Sequence, residues 1–394
     1  MHDPARPTPR RLAAALAGLC LLGLLGLLPA ACADPPGEGA GWPEGALLVA
    51  RTEALARLLS RLEELQGTPV ANRALALRRA LPDCAAVESW AASGDPAQLA
   101  SQITCRPQRS ALERLDRERG AHDLAFAVPL EGGDRAIGAL SVAEDGGVEL
   151  ELRLPQKLLG GARALLAPGS TAPGPSVLSG SETLIHARLR PEGGLDVAQL
   201  VPDRGQAAQL FRLKSELFAG VVLDGTWEGA VYLPEPARPM PRVALALGFS
   251  HRDAAVSAME GFLRELQATW PVHRSSFSIG EASGACLLDL NILPDFAPCY
   301  LATDRSLVVG WNPASLRKAL DGQDAGILGE AGGVVVDLDR VADADALLAQ
   351  RAAPERAAAS HTSHAYPWRR LAAEGRRAED GLHIRVTLAA GVDT

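Results

Sequence analysis

The residues best placed for nucleophilic chemistry are Gly248-Phe249-Ser250-His251-Arg252, between a strand-like run and a helical one. A serine at such a turn is how a G-x-S-x-G elbow presents its hydroxyl to a substrate. Here Arg252 replaces the second glycine, and Ser250 stands three residues before Asp253, the spacing of a helix cap. The cap is the plainer reading, and a secreted hydrolase using Ser250 is its alternative. His361 and His364 form an H-x-x-H pair around which a metal- or ligand-sensing module could be built, but zinc needs a further ligand. Asp337, Asp339, Asp343 and Asp345 offer oxygens, yet DLDRVADAD lacks the glycine on which a calcium loop turns. Those acids read as caps at a strand end and a helix start. Glu149 and Glu151 alternate onto one face of a strand, where two solvated carboxylates need no special role. Dinucleotide and phosphate-loop spacings are absent, so no cofactor and no bound metal are expected.

Cysteine is the other chemistry-bearing residue type. Of six, Cys20 lies in an apolar leader and Cys32 just after it. Cys84, Cys105, Cys286 and Cys299 remain, and four cysteines allow three connectivities. Proximity along the chain favours Cys84–Cys105 and Cys286–Cys299. There is no C-x-x-C and no finger-type histidine spacing, so disulfides of an oxidising compartment outrank a zinc site.

The leader has the three parts of an export signal: Arg6, Arg10 and Arg11, then an apolar run from Leu12 to Leu28, then Pro29-Ala30-Ala31. An uncleaved anchor is the competing reading, because the apolar run is close to the length that spans a bilayer. Leu28-Pro29-Ala30-Ala31-Cys32 resembles a bacterial lipobox, in which Cys32 becomes the lipidated first residue. The rival is ordinary cleavage at Ala31-Cys32-Ala33. Residues 1–31 are thus the signal, and 32–45, rich in Pro, Gly and Glu, a flexible tether. The expected location is the cell envelope, lipid-anchored at a periplasmic or outer face, or else soluble in the periplasm or medium.

Several elements position these residues. Ala46–Ala50 reads as a strand, and Thr52 as the cap of a helix presenting Leu55, Leu58, Leu59, Leu62 and Leu65 on one side. A second helix is expected over 70–81, and further helical segments leading to Cys105 and over 107–119. The pattern then changes to period two: strands over 123–129, 135–143 and 148–154, the last two joined through Asp145-Gly146-Gly147. The Pro- and Gly-rich segment 167–180 reads as a linker. It divides an N-terminal domain, 46–166, from a C-terminal region, 181–394, made of 181–322 with closing strands in 333–394. That region is expected to hold a strand at 183–189, a helix at 205–218, and a hairpin around Asp224-Gly225. Strands at 242–249, 275–280, 285–292, 299–303 and 306–310 follow, with a helix at 253–270 among them. Asn312-Pro313 opens a short helix, and a terminal hairpin closes the chain. ALLVAR, TLIHAR and GVVVDLDR each place a strand before a helix, and AEDG recurs at 143–146 and 378–381. The expected class is α+β: mostly antiparallel sheets, helices packed on one face, and a degenerate two- or three-fold repeat.

Two stretches, VALALGFSHRDAAVSAMEGFLREL and CYLATDRSLVVGWNPASLRKAL, resemble the bacterial envelope proteins of the domain of unknown function 3352 family over residues 243–320. The resemblance implies an exported α+β protein and supplies no active site to transfer.

Composition narrows the remaining classes. The 394 residues are 47% hydrophobic, enough to bury a core, and carry a net charge of −8 with no basic stripe. Nucleic acid is therefore not an expected partner. The expected role is non-catalytic, with another envelope component as partner and a membrane reached through the lipid anchor.

Overall fold

In the computed structural model, the described residues are 46–65, 69–84, 86–91, 103–105, 122–129, 135–155, 176–178, 182–189, 195–196, 222–223, 225–234, 242–269, 272–289, 295–321, 333–352, 367–378 and 381–390. The signal, Cys32, the tether, the expected helices at 107–119 and 205–218, and His361 and His364 lie outside them. No helix among the described residues is long and apolar enough to cross a membrane.

The chain divides into two compact units, Met1–Leu159 with Val341–Ala373 and Ala378–Thr394, and Gly160–Arg340 with Glu374–Arg377. Both are mostly antiparallel sheet with helices, an α+β mixture. The first contains β1 (Ala46–Arg51), α1 (Thr52–Glu63), α2 (Pro69–Ala80), β2 (Ala86–Ala91), β3 (Ile103–Thr104), β4 (Leu124–Pro129), β5 (Arg135–Val142) and β6 (Val148–Pro155). The second contains β7 (Thr183–Leu189), β8 (Leu195–Asp196), β9 (Val222–Leu223), β10 (Trp227–Tyr232), β11 (Arg242–Gly248), α3 (Arg252–Thr269), β12 (His273–Ile279), β13 (Ala282–Leu288), β14 (Cys299–Ala302), β15 (Ser306–Gly310), α4 (Pro313–Leu320) and β16 (Gly333–Asp337). After α5 (Leu338–Ala352), the chain ends on β17 (Trp368–Ala378) and β18 (Gly381–Ala390).

Strand order in the first unit is β17-β18-β6-β5-β4-β1-β2-β3. The β5–β6 hairpin forms as its alternation requires, with Val142 opposite Val148 and Leu140 opposite Leu150. Val148, Leu150 and Leu152 are buried. Gly146 turns the chain at φ +84°, where a side chain would be strained, and its carbonyl accepts the indole N–H of buried Trp368 at 3.0 Å. The outer side of β6 is taken by β18, from Gly381 opposite Pro155 to Leu388 opposite Val148. The terminal hairpin, which the sequence assigned to the C-terminal region, therefore completes the sheet of the first unit.

Two local expectations change. At the end of the segment leading to Cys105, where a helix was expected, Ile103–Thr104 form strand β3, paired with β2 through Glu88–Thr104 and Ser89–Ile103, while residues 92–102 lie outside the described ones. Thr52 is not a cap: Arg51 occupies that position and makes no side-chain cap bond, while Thr52 Oγ1 is buried without a partner. Arg51 is still paired to Ala86, so β1 runs straight into α1 and leaves no turn for Thr52 to occupy.

In the second unit the order is β12-β13-β14-β15-β11-β10-β7-β16. Alternation in these strands separates two cores. Ala285, Leu287, Tyr300, Ala302 and Leu307 pack with Ala255, Ala258 and Leu263 of α3. Cys286, Cys299, Leu301 and Val308 pack with Leu316 and Ala319 of α4. The expectation of helices on one face gives way here to a helix on each, because both faces of these strands are apolar. Asn312 caps α4, its side chain accepting from the Ser315 amide at 2.8 Å, with Pro313 pre-set at the first helical position.

Candidate functional site

The most concentrated polar chemistry among the described residues lies on β7 and β10. In TLIHARL, period two sends Leu184, His186 and Arg188 inward together. In WEGAVY it sends Glu228, Ala230 and Tyr232 inward. The register sets Glu228 directly opposite Arg188 and Ala230 opposite His186. His186, Arg188 and Glu228 are thereby placed in the interior, each no more than 1% exposed.

Donors converge on the Glu228 carboxylate. His186 Nε2 lies 2.7 Å from Oε1, and since an ionised carboxylate only accepts, that nitrogen carries the proton. The Val177 amide donates to Oε2 at 2.7 Å, and the Ser176 hydroxyl hydrogen-bonds Oε1. Leu178 follows, buried in the α4-side core. A three-residue piece of the Pro/Gly-rich linker is thus seated against the sheet by one carboxylate.

Burial is the largest influence on Glu228 and pushes its pKa up. The hydrogen bonds from His186, Ser176 and the Val177 amide, with the His186 charge, together outweigh it, and the net shift is downward. Tyr232, four residues on, titrates far above its ordinary range because it is buried and shares its face with that negative charge. A general base for work near neutrality needs its pKa raised toward 7, and Glu228 is shifted the other way. Nor is this the order of a catalytic triad. The serine touches the carboxylate, not the imidazole, so the serine–histidine contact of a triad is not made. His186 Nδ1 is buried and makes no hydrogen bond.

The residues singled out from sequence lie elsewhere. Ser250, His251, Arg252 and Asp253 are all exposed at the start of α3. Asp337 is a cap, as its acidic run suggested: its carboxylate accepts from the Arg340 amide at 3.0 Å and pairs with the Arg340 guanidinium at 3.2 Å. No group of three or more His, Cys, Asp or Glu side chains among the described residues could hold a metal ion.

Glu149 and Glu151 are engaged rather than merely solvated. Arg385, directly opposite Glu151 on β18, reaches Glu149 at 2.9 Å and Glu151 at 3.0 Å, while His122 Nε2 lies 3.7 Å from Glu151. The Arg385 hydrogen bond, chiefly, lowers the Glu151 pKa.

Cys286 and Cys299 face each other across β13 and β14 and are joined by a disulfide, with Cα atoms 4.0 Å apart. Cys84 and Cys105 are thiols, where a bridge was expected, and the Cys105 thiol hydrogen-bonds Cys84.

Sequence reasoning passes over His186, Glu228 and Ser176. The available signal was a histidine and a glutamate at inward positions of otherwise apolar alternating strands. No protein-family model, no curated protein and no solved structure matches the chain.

Proposed function

We propose that the chain is an exported protein of the bacterial envelope, lipid-anchored through Cys32, with a non-catalytic binding or structural role. The observation that carries the reading is the Cys286–Cys299 disulfide, closed across two paired strands in a buried layer. Such a bridge belongs to an oxidising compartment, and a leader with Arg6, Arg10, Arg11, an apolar run and Cys32 would take the chain there. The inward-facing polar group supports the non-catalytic part: its carboxylate spends its acceptors on holding Ser176 and Val177. The direct passage of β1 into α1 and of β16 into α5 supports the degenerate repeat. The order β11–α3 and then β14–β15–α4 is the layout on which the family resemblance rests.

The test is fractionation of the full chain, with its own leader, in a bacterial host. Wild-type protein is expected in the membrane fraction with acyl label on its first residue. Cys32→Ala or globomycin treatment removes the label and releases the protein. Unlabelled protein in the cytosol, with Cys286 and Cys299 reduced, would overturn the reading.

A further inference from the structure

The two cysteine pairs have opposite surroundings. Cys286 and Cys299 are 2% and 1% exposed, inside the layer between the sheet and α4. Cys105 is exposed and Cys84 half-exposed. Cys84 comes shortly before β2, and Cys105 directly follows β3. The pairing of Glu88 with Thr104 brings Cys105 level with Val87, three residues on from Cys84, and the two thiols hydrogen-bond each other. Strand β3 is the outermost of its sheet and is paired through only two residues. It can therefore shift to admit a reagent at little cost.

We propose that Cys84 and Cys105 form an exchange-active dithiol, a site at which a low-molecular-weight disulfide hands its sulfur–sulfur bond to the protein. The Cys84 thiolate attacks one sulfur of the incoming R–S–S–R, forming a mixed disulfide and expelling one thiolate, which takes a proton from solvent. Cys105 then loses its proton to solvent, attacks the Cys84 sulfur and expels the second thiolate. Two protein thiols are oxidised, one external disulfide is reduced to two thiols, and two electrons pass between them. With its hydrogen bond to Cys84, Cys105 is suited to the second attack rather than the first. That bond chiefly, with Asp83 nearby, raises the Cys105 pKa, so closure speeds up as pH rises. Exposure separates this pair from Cys286–Cys299: an accessible bridge is open to thiolate attack from either direction, and a buried one is shielded.

The test is to equilibrate the full purified chain, folded, in glutathione buffers running from fully reduced to fully oxidised. Thiols are then trapped with a maleimide and mapped by mass spectrometry. Alkylation of Cys84 and Cys105 is expected to fall from nearly complete to nearly nil across the series, while Cys286–Cys299 stays closed throughout. Cys105→Ser is expected to stop at the mixed disulfide, adding one glutathionyl group at Cys84. The proposal is overturned if Cys84 and Cys105 stay alkylatable in every buffer, or if a bridge between them survives the reducing end. It is also overturned if both pairs respond together, or if Cys105→Ser gains no glutathione.

Discussion

A single side chain, Glu228, gathers hydrogen bonds from His186, Ser176 and Val177. Replacing it with Gln keeps the shape but removes the charge that His186, Ser176 and Val177 face. A loss of about 1.5–3 kcal/mol is expected from charged hydrogen bonds of this kind, read as a lowered urea midpoint. Amide exchange at Val177 should rise in the same variant. The pH dependence has a definite sign. Because the folded carboxylate titrates below its unfolded value, its stabilisation is whole above the ordinary carboxylate pKa, about 4.3. It is lost as pH falls from there through the folded value. Urea midpoints measured from pH 7 downward should fall less steeply in Glu228→Gln than in wild type. Arg385 offers the contrast. It pairs with two glutamates, but all three side chains are at least 36% exposed, so Arg385→Ala should cost no more than about 1 kcal/mol. Proline and glycine dominate 167–180, and they obscure the fact that Leu178 is a core residue. A turn-rich composition reports backbone conformation and is silent about a lone apolar anchor.

Elements with a strong local signal formed as read. The β5–β6 hairpin follows from Asp145-Gly146-Gly147 and the alternation after it, and α4 from Asn312-Pro313. Strands whose partner is distant in sequence formed too, but the partner itself was not legible. Nothing in VELELRLP says that its second edge will be filled by GLHIRVTLAA, because pairing of two amphipathic strands is a matter of tertiary packing. Strand β2, paired with β1, carries no local signal for the same reason, and neither does the two-residue β3. Where β13 meets β14, small size matters more than propensity. A Cβ on Gly284 would lie 1.9 Å from the Tyr300 carbonyl oxygen, so Gly284→Ala must push the two strands apart. That variant is expected to unfold at lower urea and to close Cys286–Cys299 less completely. Changing both of those cysteines to Ala removes a bridge spanning 13 positions, which the loop-entropy scale sets at about 3 kcal/mol. Comparing the midpoints of oxidised wild type and the double variant checks it.

At the scale of the whole chain, residues from both ends build the first unit, while the second is one nearly continuous stretch. Length and linker composition alone suggested a simple division near 167–180. Deleting 381–394 should therefore damage the distant N-terminal unit. Strand β6 would be left with an open edge carrying Val148, Leu150 and Leu152, and soluble yield should drop. The Cys286–Cys299 bridge, whose neighbours all lie before residue 341, should still form. Normal yield from the truncated chain would refute this division of labour. The pairing of β6 with β18 also bears on timing. A ribosome finishes β6 with more than half of the chain still to be made, and synthesis proceeds at about 5–20 residues per second. For that interval the first unit has no final partner, so it is the later-made second unit that can reach its native sheet first. Until the last hairpin is made the β6 edge stays open, so any dependence on a chaperone during synthesis should be set by that hairpin.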